Sequence, residues 1–419
     1  MIEWKELKIE DFCEVIGGGT PSTKEDSYYG GDISWITPRD LTNYKNRFIS
    51  RGERNITDLG LKNSSAKILP KNSILLTSRA PIGYLAIAEN EVCTNQGFKS
   101  LIVDAAKADY NFVYYLIKSN VERIKGLGTG TTFAEISGSV VKGLKFTIPD
   151  LPTQTAIAEI LSSLDDKIEL NNKINQELEN LAQTLFKQWF IDFEFPNENG
   201  EPYKSSGGEM VESELGEIPK GWKVETLEKY VKIINGFAFK SEDYVKCGVK
   251  IIRTKNFNEN GFLDLNDLAY LTDDKSKNYN NFQLQKYDKL LVMVGASIGK
   301  TVMVTSNILP ALQNQNMWNF RAKSKEFQAY SNFITDLIVE QNIGSATGSA
   351  REFFRKDFFY SLKIKIPTIS LINQFNEIIT SIYDKFDVLV IENLELTNLR
   401  DYLLPKLISG ELEINEVPN

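Results

Sequence analysis

The chain repeats itself. Trp4, in EWKELKIEDF, has a counterpart in Trp222 of GWKVETLEKY, 218 residues further on. The same offset joins Gly18 to Gly236, Thr129-Gly130 to Thr347-Gly348, Ile148-Pro149 to Ile366-Pro367, Glu159-Ile160 to Glu377-Ile378 and Asp166-Lys167 to Asp384-Lys385. Between these anchors it slips by a residue or two, pairing Asn95-Gln96 with Asn314-Gln315 and Ile82-Gly83 with Ile298-Gly299. Matches in one order along a chain of 419 residues mark a duplication, so whatever fold the chain adopts is built twice.

Within each half the texture changes at the Ile-Pro. Upstream lie short β-branched and aromatic runs bounded by Gly, Asn, Asp and Pro: ISWIT, SILLTS and YLAIA, then KIIRT, KLLVMVG and TVMVT. These read as strands, with one helix per half over NFVYYLIKSNVERIKG and EFQAYSNFITDLIVEQ. Downstream, residues 154–190 contain neither Gly nor Pro, which predicts one long helix. Its inward positions step by four and three through Ile157, Leu161, Leu164, Ile168, Asn171, Asn175, Leu178, Ala182, Leu185 and Trp189. The second half supplies Phe375, Ile379, Ile382, Phe386, Leu389, Asn393, Leu396, Arg400 and Leu403 on the same face, so both helices carry a heptad seam. At 1.5 Å per residue such helices run to ~50–60 Å, longer than one small domain needs. The spacing therefore predicts that they pack on each other as a coiled coil, with Asn175 and Asn393 on the seam to fix register. The expected organisation is a globular domain over 1–150, a long helix over 151–194, a Gly-, Pro- and Glu-rich linker over 195–219, a second globular domain over 220–368, a second long helix over 369–410 and a tail over 411–419.

Composition narrows the chemistry. With no histidine there is no Ser-His-Asp or Cys-His nucleophile and no histidine ligand or base. Cys13, Cys93 and Cys247 are odd in number and widely spaced, which suits a reducing cytoplasm better than a disulfide frame or a zinc site. No apolar run approaches the roughly 20 residues of a membrane span, and the charged N-terminus does not read as a signal peptide. The net charge of −8 is unevenly spread: +1 over residues 1–150, −10 over 151–219, +7 over 220–368 and −6 over 369–419. Acidic helices with neutral-to-basic globular domains permit the domains, and not the helices, to meet phosphate.

The nearest approach to a catalytic motif is Gly295-Ala-Ser-Ile-Gly-Lys300-Thr301. A phosphate-binding loop needs four residues between its glycines; here there are three, and the first-half counterpart around Gly83 has lost the lysine. It reads as a turn between strands. Gly17-Gly18-Gly19 lacks dinucleotide-loop spacing, and the chain carries neither the Asn/Asp-Pro-Pro-Tyr/Phe tetrad of an adenine methyltransferase nor a nuclease Pro-Asp followed by a convincing Glu-x-Lys. What remains are polar side chains in loops: Thr20, Ser22, Lys24, Arg39, Arg79, Gln96, Thr129 and Thr131 in one half, and Lys240, Arg253, Lys255, Lys300, Gln315, Thr347, Ser349 and Arg351 in the other. Arg suits guanine, Gln suits adenine, and Ser, Thr and Lys suit phosphate. Any one of them alone reads more readily as a surface or turn side chain; two frames carrying unlike sets read as a reader of unlike half-sites.

The central stretch LPTQTAIAEILSSLDDKIELNNKINQELENLAQTLFKQWFIDFEFP, the linker SSGGEMVESELGEIPKGW and the closing LRDYLLPKLISGEL resemble the specificity subunit of type I restriction–modification enzymes. The globular halves match that family in skeleton: the early Trp, the Ile-Gly turn, the Thr-Gly loop and the Ile-Pro exit. The resemblance implies a mixed α/β fold of two target recognition domains, each followed by a long helix, the helices pairing as an antiparallel coiled coil with internal pseudo-two-fold symmetry. It implies a non-catalytic chain without cofactor. Two methyltransferase subunits, carrying S-adenosylmethionine, would dock on the helices, and motor-nuclease subunits using ATP and magnesium would complete the complex on double-stranded DNA. The competing readings are a coiled-coil scaffold or inactive paralogue that reads no DNA, and a stand-alone DNA-modifying enzyme.

Overall fold

The computed structural model describes residues 4–129, 134–257, 263–265, 267–295, 297–343 and 354–414. The chain divides into two compact units, residues 1–171 with 393–419 and residues 172–392.

The first unit holds a five-stranded sheet in the order Cys13–Gly17, Lys99–Val103, Ile74–Ser78, Ile82–Ala88, Phe48–Ile49, antiparallel except for the last pair. A three-stranded sheet runs Arg54–Ile56, Tyr29–Ile36, Cys93–Thr94, its second pair parallel, and a ribbon joins Lys5–Lys8 to Lys145–Ile148. The second unit repeats this plan. Its larger sheet runs Val231–Asn235, Met317–Ala322, Lys289–Val292, Thr301–Met303, and its smaller one Ala269–Leu271, Val249–Ile252, Ala311–Gln313, again with the second pair parallel. Lys223–Thr226 pairs with Lys363–Ile366 as the ribbon. The apolar runs ILLTS and KLLV become inner strands of the larger sheets because both faces of the strand are covered, whereas the ribbon strand Lys145–Ile148 alternates buried and exposed residues. Helix Tyr110–Ser119, capped by Asp109, which accepts from the Phe112 amide at 2.9 Å, buries Phe112, Val113, Tyr115 and Ile117 against the first unit's core. Helix Gln328–Asn342 is its counterpart.

The long helices span Leu151–Phe186 and Ile369–Ser409. Asp150 caps the first, accepting from the Thr153 amide at 3.1 Å, and its repeat partner Thr368 accepts from the Leu371 amide at 3.4 Å at the start of the second. The first helix runs on into a π-helical turn, Lys187–Ile191, which buries the adjacent Trp189 and Phe190 together. The inward stripe therefore passes through Phe186 as well as the half-buried Leu185.

The two helices run antiparallel within each unit. In the first, Asp165 meets Arg400 (2.6 Å) and the Asn171 side-chain amide donates to Asn393 Oδ1 (2.9 Å). In the second, Phe186 and Trp189 pack on Phe375, with ring centroids 6.3 and 5.7 Å apart. Of the predicted seam residues, Ile157, Leu161, Phe375, Ile379, Ile382, Phe386, Leu389 and Leu403 are buried, and Leu164, Leu178 and Leu185 pack at the rim of a core while Ile168 and Leu396 are half-buried. The same segments also belong to the domain cores: Ile157, Leu161, Leu403 and Leu407 join the first, Phe186, Trp189, Phe375 and Ile379 the second. Pairing of the helices and packing on the domains are thus one arrangement. Each domain takes the start of its own helix and the end of the other repeat's helix.

An acidic pair on the helices, one turn apart, holds each domain. Arg47, its side chain 4% exposed, pairs with Asp166 and Glu169. At the equivalent positions Lys286 pairs with Asp384 (2.8 Å) and Asp387 (3.2 Å), and Asp387 also accepts from the amide and hydroxyl of Ser306 (2.6 Å each). The carboxylates recur in the repeat, but the cation comes from a different loop in each copy.

Candidate nucleic-acid interface

One circuit of backbone hydrogen bonds recurs in both units and gathers the loops that carry the candidate residues. In the first unit the Gly19 amide donates to Thr94 O (2.9 Å), Asn95 to Ile36 O (3.0 Å), Ser78 to Gly97 O (2.7 Å) and Ile136 to Ser78 O (3.0 Å). In the second, Phe237 donates to Gln313 O (3.1 Å), Asn314 to Ile252 O (3.0 Å), Met293 to Asn316 O (3.1 Å) and Phe354 to Met293 O (3.1 Å). Gly18 and Gly236 are fixed by this circuit, since a Cβ there would lie 1.9 Å from Asn95 O and 1.7 Å from Asn314 O. Gly236→Ala is expected to force the two loops apart and destabilise the second unit by about 1–3 kcal/mol. Thermal unfolding checks this; an unshifted melting temperature would show that the loop pairing yields freely.

The circuit brings most of the first-half candidates together. Thr20 Oγ1 bonds Gln96 Oε1, and Gly97 lies against the Pro38 ring beside the exposed Arg39. Arg79 follows Ser78, and both Arg79 and Thr129 bridge to Glu135, the backbone of Thr129 and Glu135 exchanging bonds of 3.0 and 3.1 Å. Ser22 and Lys24 sit exposed in the turn after Pro21, which is tied to the sheet by the Tyr29 hydroxyl (2.8 Å to Pro21 O). In the second unit Gln315 is exposed and its amide donates to Phe237 O (3.0 Å). Lys300 is half-buried at the end of the Gly295–Gly299 turn, Arg253 and Lys255 share Asp267, and Lys240 is exposed beside Glu242. Thr131, Thr347, Ser349 and Arg351 lie outside the described residues.

The Gly295–Thr301 segment is the turn its spacing suggested. Gly295 (φ +90°) and Gly299 (φ +85°) reverse the chain between Lys289–Val292 and Thr301–Met303, which pair antiparallel, so a strand follows where a phosphate loop would open a helix.

Three carboxylates that sequence reasoning passed over shape the charge of these loops. Glu135 holds both Arg79 (3.4 Å) and Lys99 (3.7 Å), Glu53 faces Arg39 (3.6 Å), and Asp267 takes Arg253 (3.5 Å) and Lys255. The hydrogen bond from Lys255 holds the Asp267 carboxyl below its usual range. No local signal marks these acids, because each meets its cation across the fold. Asn95 and Asn314 were within reach, since each precedes the repeated Gln and its side-chain oxygen accepts an amide of its own turn, Gly97 N at 2.8 Å and Gln315 N at 2.5 Å. Arg54 stacks 4.2 Å over the Tyr29 ring at the edge of the smaller sheet and was likewise not singled out.

Burial pushes the Cys13 thiol up to about 12 and the Cys93 thiol up to about 11, which keeps both protonated at neutral pH. Among the described residues no three His, Cys, Asp or Glu side chains are placed to hold a metal, and no helix is long and apolar enough to cross a membrane.

Residues 1–180 and 219–399 each match the family model described as "Type I restriction modification DNA specificity domain". The type I restriction enzyme MjaIX specificity subunit of Methanocaldococcus jannaschii is 36% identical over 99% of this chain and 95% of its own length. The HindI specificity subunit of Haemophilus influenzae is 25% identical over 98% of this chain and the whole of its own length. The crystal structure of the type I restriction–modification S subunit from M. genitalium superposes with a TM-score of 0.61 at 18% identity, covering 97% of this chain and 96% of that one, a likeness of fold.

Proposed function

The chain belongs to the DNA specificity subunits of type I restriction–modification systems, and from that premise we propose that it reads a bipartite, asymmetric DNA site, one half with each globular domain. The observation that carries this is the shared hydrogen-bond circuit bearing unlike side chains: Arg39 and Lys255 occupy equivalent positions, as do Thr37 and Arg253, while Gln96 and Gln315 agree. A common frame fixes where each loop meets the duplex; the differing side chains select the bases. Arg79 and Arg253, each held by a carboxylate, would exchange that partner for phosphate or a guanine edge, so assembly on DNA would weaken with rising salt.

The test is exchange of residues 1–150 or 220–368 with those of a relative of different specificity, in cells supplying the cognate methyltransferase, followed by mapping of adenine methylation. A split motif whose halves change independently is expected. Methylation that ignores the exchange favours a scaffold that reads no DNA.

The helices would seat two identical methyltransferase subunits. Large apolar side chains stand exposed at repeated positions, Leu170 with Leu399 in the first unit and Val388 with Leu181 in the second, between 46% and 57% exposed. Each unit thus presents the same pair, one residue from each helix, and two like patches fit two like partners. Replacing Leu170 and Leu399 by Glu should reduce the methyltransferase subunits bound per chain from two to one, measured as the mass of the purified complex. Full occupancy would place docking elsewhere. In this reading S-adenosylmethionine belongs to the methyltransferase subunits, ATP and magnesium to the restriction subunits, and this chain carries no chemistry of its own.

A further inference from the structure

In one place the two units differ in a way that leaves a space. Helix Tyr110–Ser119 with the short helix Val121–Lys125 that follows it is equivalent to helix Gln328–Asn342, and the packing agrees: Gly83 lies against Val121 and Lys125, Gly299 against Val339 and Ile343, each helix residue 218 from its counterpart. Beside the first, Arg400 lays its side chain across from the other long helix and donates to Asp165 (2.6 Å), which also accepts from the Tyr115 hydroxyl (2.7 Å) and faces Lys118 (3.7 Å). The equivalent residues of the second unit are Ala182 for Arg400, Tyr383 for Asp165, Phe333 for Tyr115 and Asp336 for Lys118. Where the first unit has a guanidinium on a three-carbon stem, the second has a methyl group. There a cavity of about 490 Å³ opens, lined by Ala182, Leu178, Phe333, Ile382, Tyr383 and Phe386.

Its polar rim is acidic. Asp336 is satisfied by Lys289 (2.7 Å) and the Thr301 hydroxyl (2.8 Å). Glu179 and Glu340 add two carboxylates at the mouth, leaving the lining with an excess of negative charge. The Glu179 carboxyl is held above its ordinary value by partial burial, with Asp336 adding to the rise and Lys289 opposing it. An apolar slot with unneutralised carboxylates at its opening favours a cation on an apolar stem over a neutral or anionic molecule of the same size.

We propose that this cavity of the second unit is a binding site for a guanidinium or ammonium group on a short apolar stem, which takes the place that Arg400 fills in the first unit. Such a site would bind its ligand whether or not the domains read DNA. Such a group can arrive free in solution or as a basic side chain of a bound partner; the chemistry is the same.

The probe is n-butylguanidinium, titrated calorimetrically into the full-length protein. Saturable binding of one molecule per chain is expected, with no binding of n-butanol or butyrate. Ala182→Arg, which supplies the missing side chain from within, should abolish it. Glu179→Gln, a near-isosteric change at the mouth, should weaken it about tenfold, the effect of removing one charge-assisted contact, and it keeps the test open if the arginine variant does not fold. Absence of saturable binding, equal binding of n-butanol, or binding unchanged in Glu179→Gln and in folded Ala182→Arg would overturn the proposal. Probe excluded from the assembled complex but bound by the free chain identifies a partner's side chain as the source; probe bound by both identifies a free cation.

Discussion

Replacing Asp165 by Ala is expected to lower the unfolding free energy of the first unit by about 3–5 kcal/mol. Asp165 is 6% exposed, and it is the common acceptor for Arg400 and Tyr115 and the counter-charge for Lys118, whose side chains are 15% and 29% exposed at the cations. Removing it takes from Lys118 its counter-charge and leaves Arg400 only the more exposed Asp401 (2.8 Å), between the helix pair and the domain, where water reaches the cations poorly. Asp165→Asn keeps the shape and an acceptor for Tyr115 but not the charge, so it should recover only part of the loss. Urea unfolding measures both, and a change below about 1 kcal/mol in Asp165→Ala would mean that solvent screens this cluster as it does a surface pair. The same site sets a pH dependence. Burial by itself would raise the Asp165 carboxyl, but Lys118 and Arg400 together with the Arg400 and Tyr115 hydrogen bonds bring it below its ordinary value. A carboxyl depressed by folding contributes fully above the ordinary range near ~3.9 and loses that contribution as pH falls through its folded value. Acid unfolding of the native chain should therefore lose this contribution below about pH 4, and Asp165→Ala should lack that part of the acid dependence.

Phe375→Ala is expected to cost about 3–5 kcal/mol in the second unit. Phe375 is 1% exposed, at the point where the long helices and the domain meet. Its ring stands edge-on to Phe190 at 4.7 Å, with Trp189 at 5.7 Å, Phe333 at 5.8 Å and Phe186 at 6.3 Å. Truncation leaves a void walled by rings of the first long helix and of helix Gln328–Asn342, which cannot both close on it, and the edge-to-face contacts are lost with the buried area. The urea midpoint of Phe375→Ala measures this directly, with Phe375→Leu as a milder control. Equal midpoints for wild type and Phe375→Ala would contradict the tight packing of this cluster.

Periodicity reached most of the seam because a heptad is a local property: Ile157, Leu161, Phe375, Ile379 and Leu389 are buried as their spacing requires. It reached the turn at Gly299 for the same reason, since one missing residue between two glycines is visible in the chain alone. The strands were legible as apolar runs, but the order in which they pair was not. Nor were the partners of Arg79 and Arg253, because Glu135 and Asp267 lie 56 and 14 residues away and meet them only after the loops close. The π-helical turn at Lys187–Ile191 also escaped, since nothing in KQWFI distinguishes it from another helical turn.

That one frame is made twice, that each copy ends in a long helix with an inward apolar stripe, and that the acidity lies on helices and linker could all be read from the residues in order. These follow from composition and spacing, which are properties of the chain before it folds. The folded chain adds that each domain is completed by the far end of the other repeat's helix, with Leu403, Leu404 and Leu407 in the first core and Ala182, Phe186 and Trp189 in the second. An antiparallel pair brings positions of falling number against positions of rising number. Residues 235 apart, such as Asp165 and Arg400, become neighbours, and no local pattern encodes that distance.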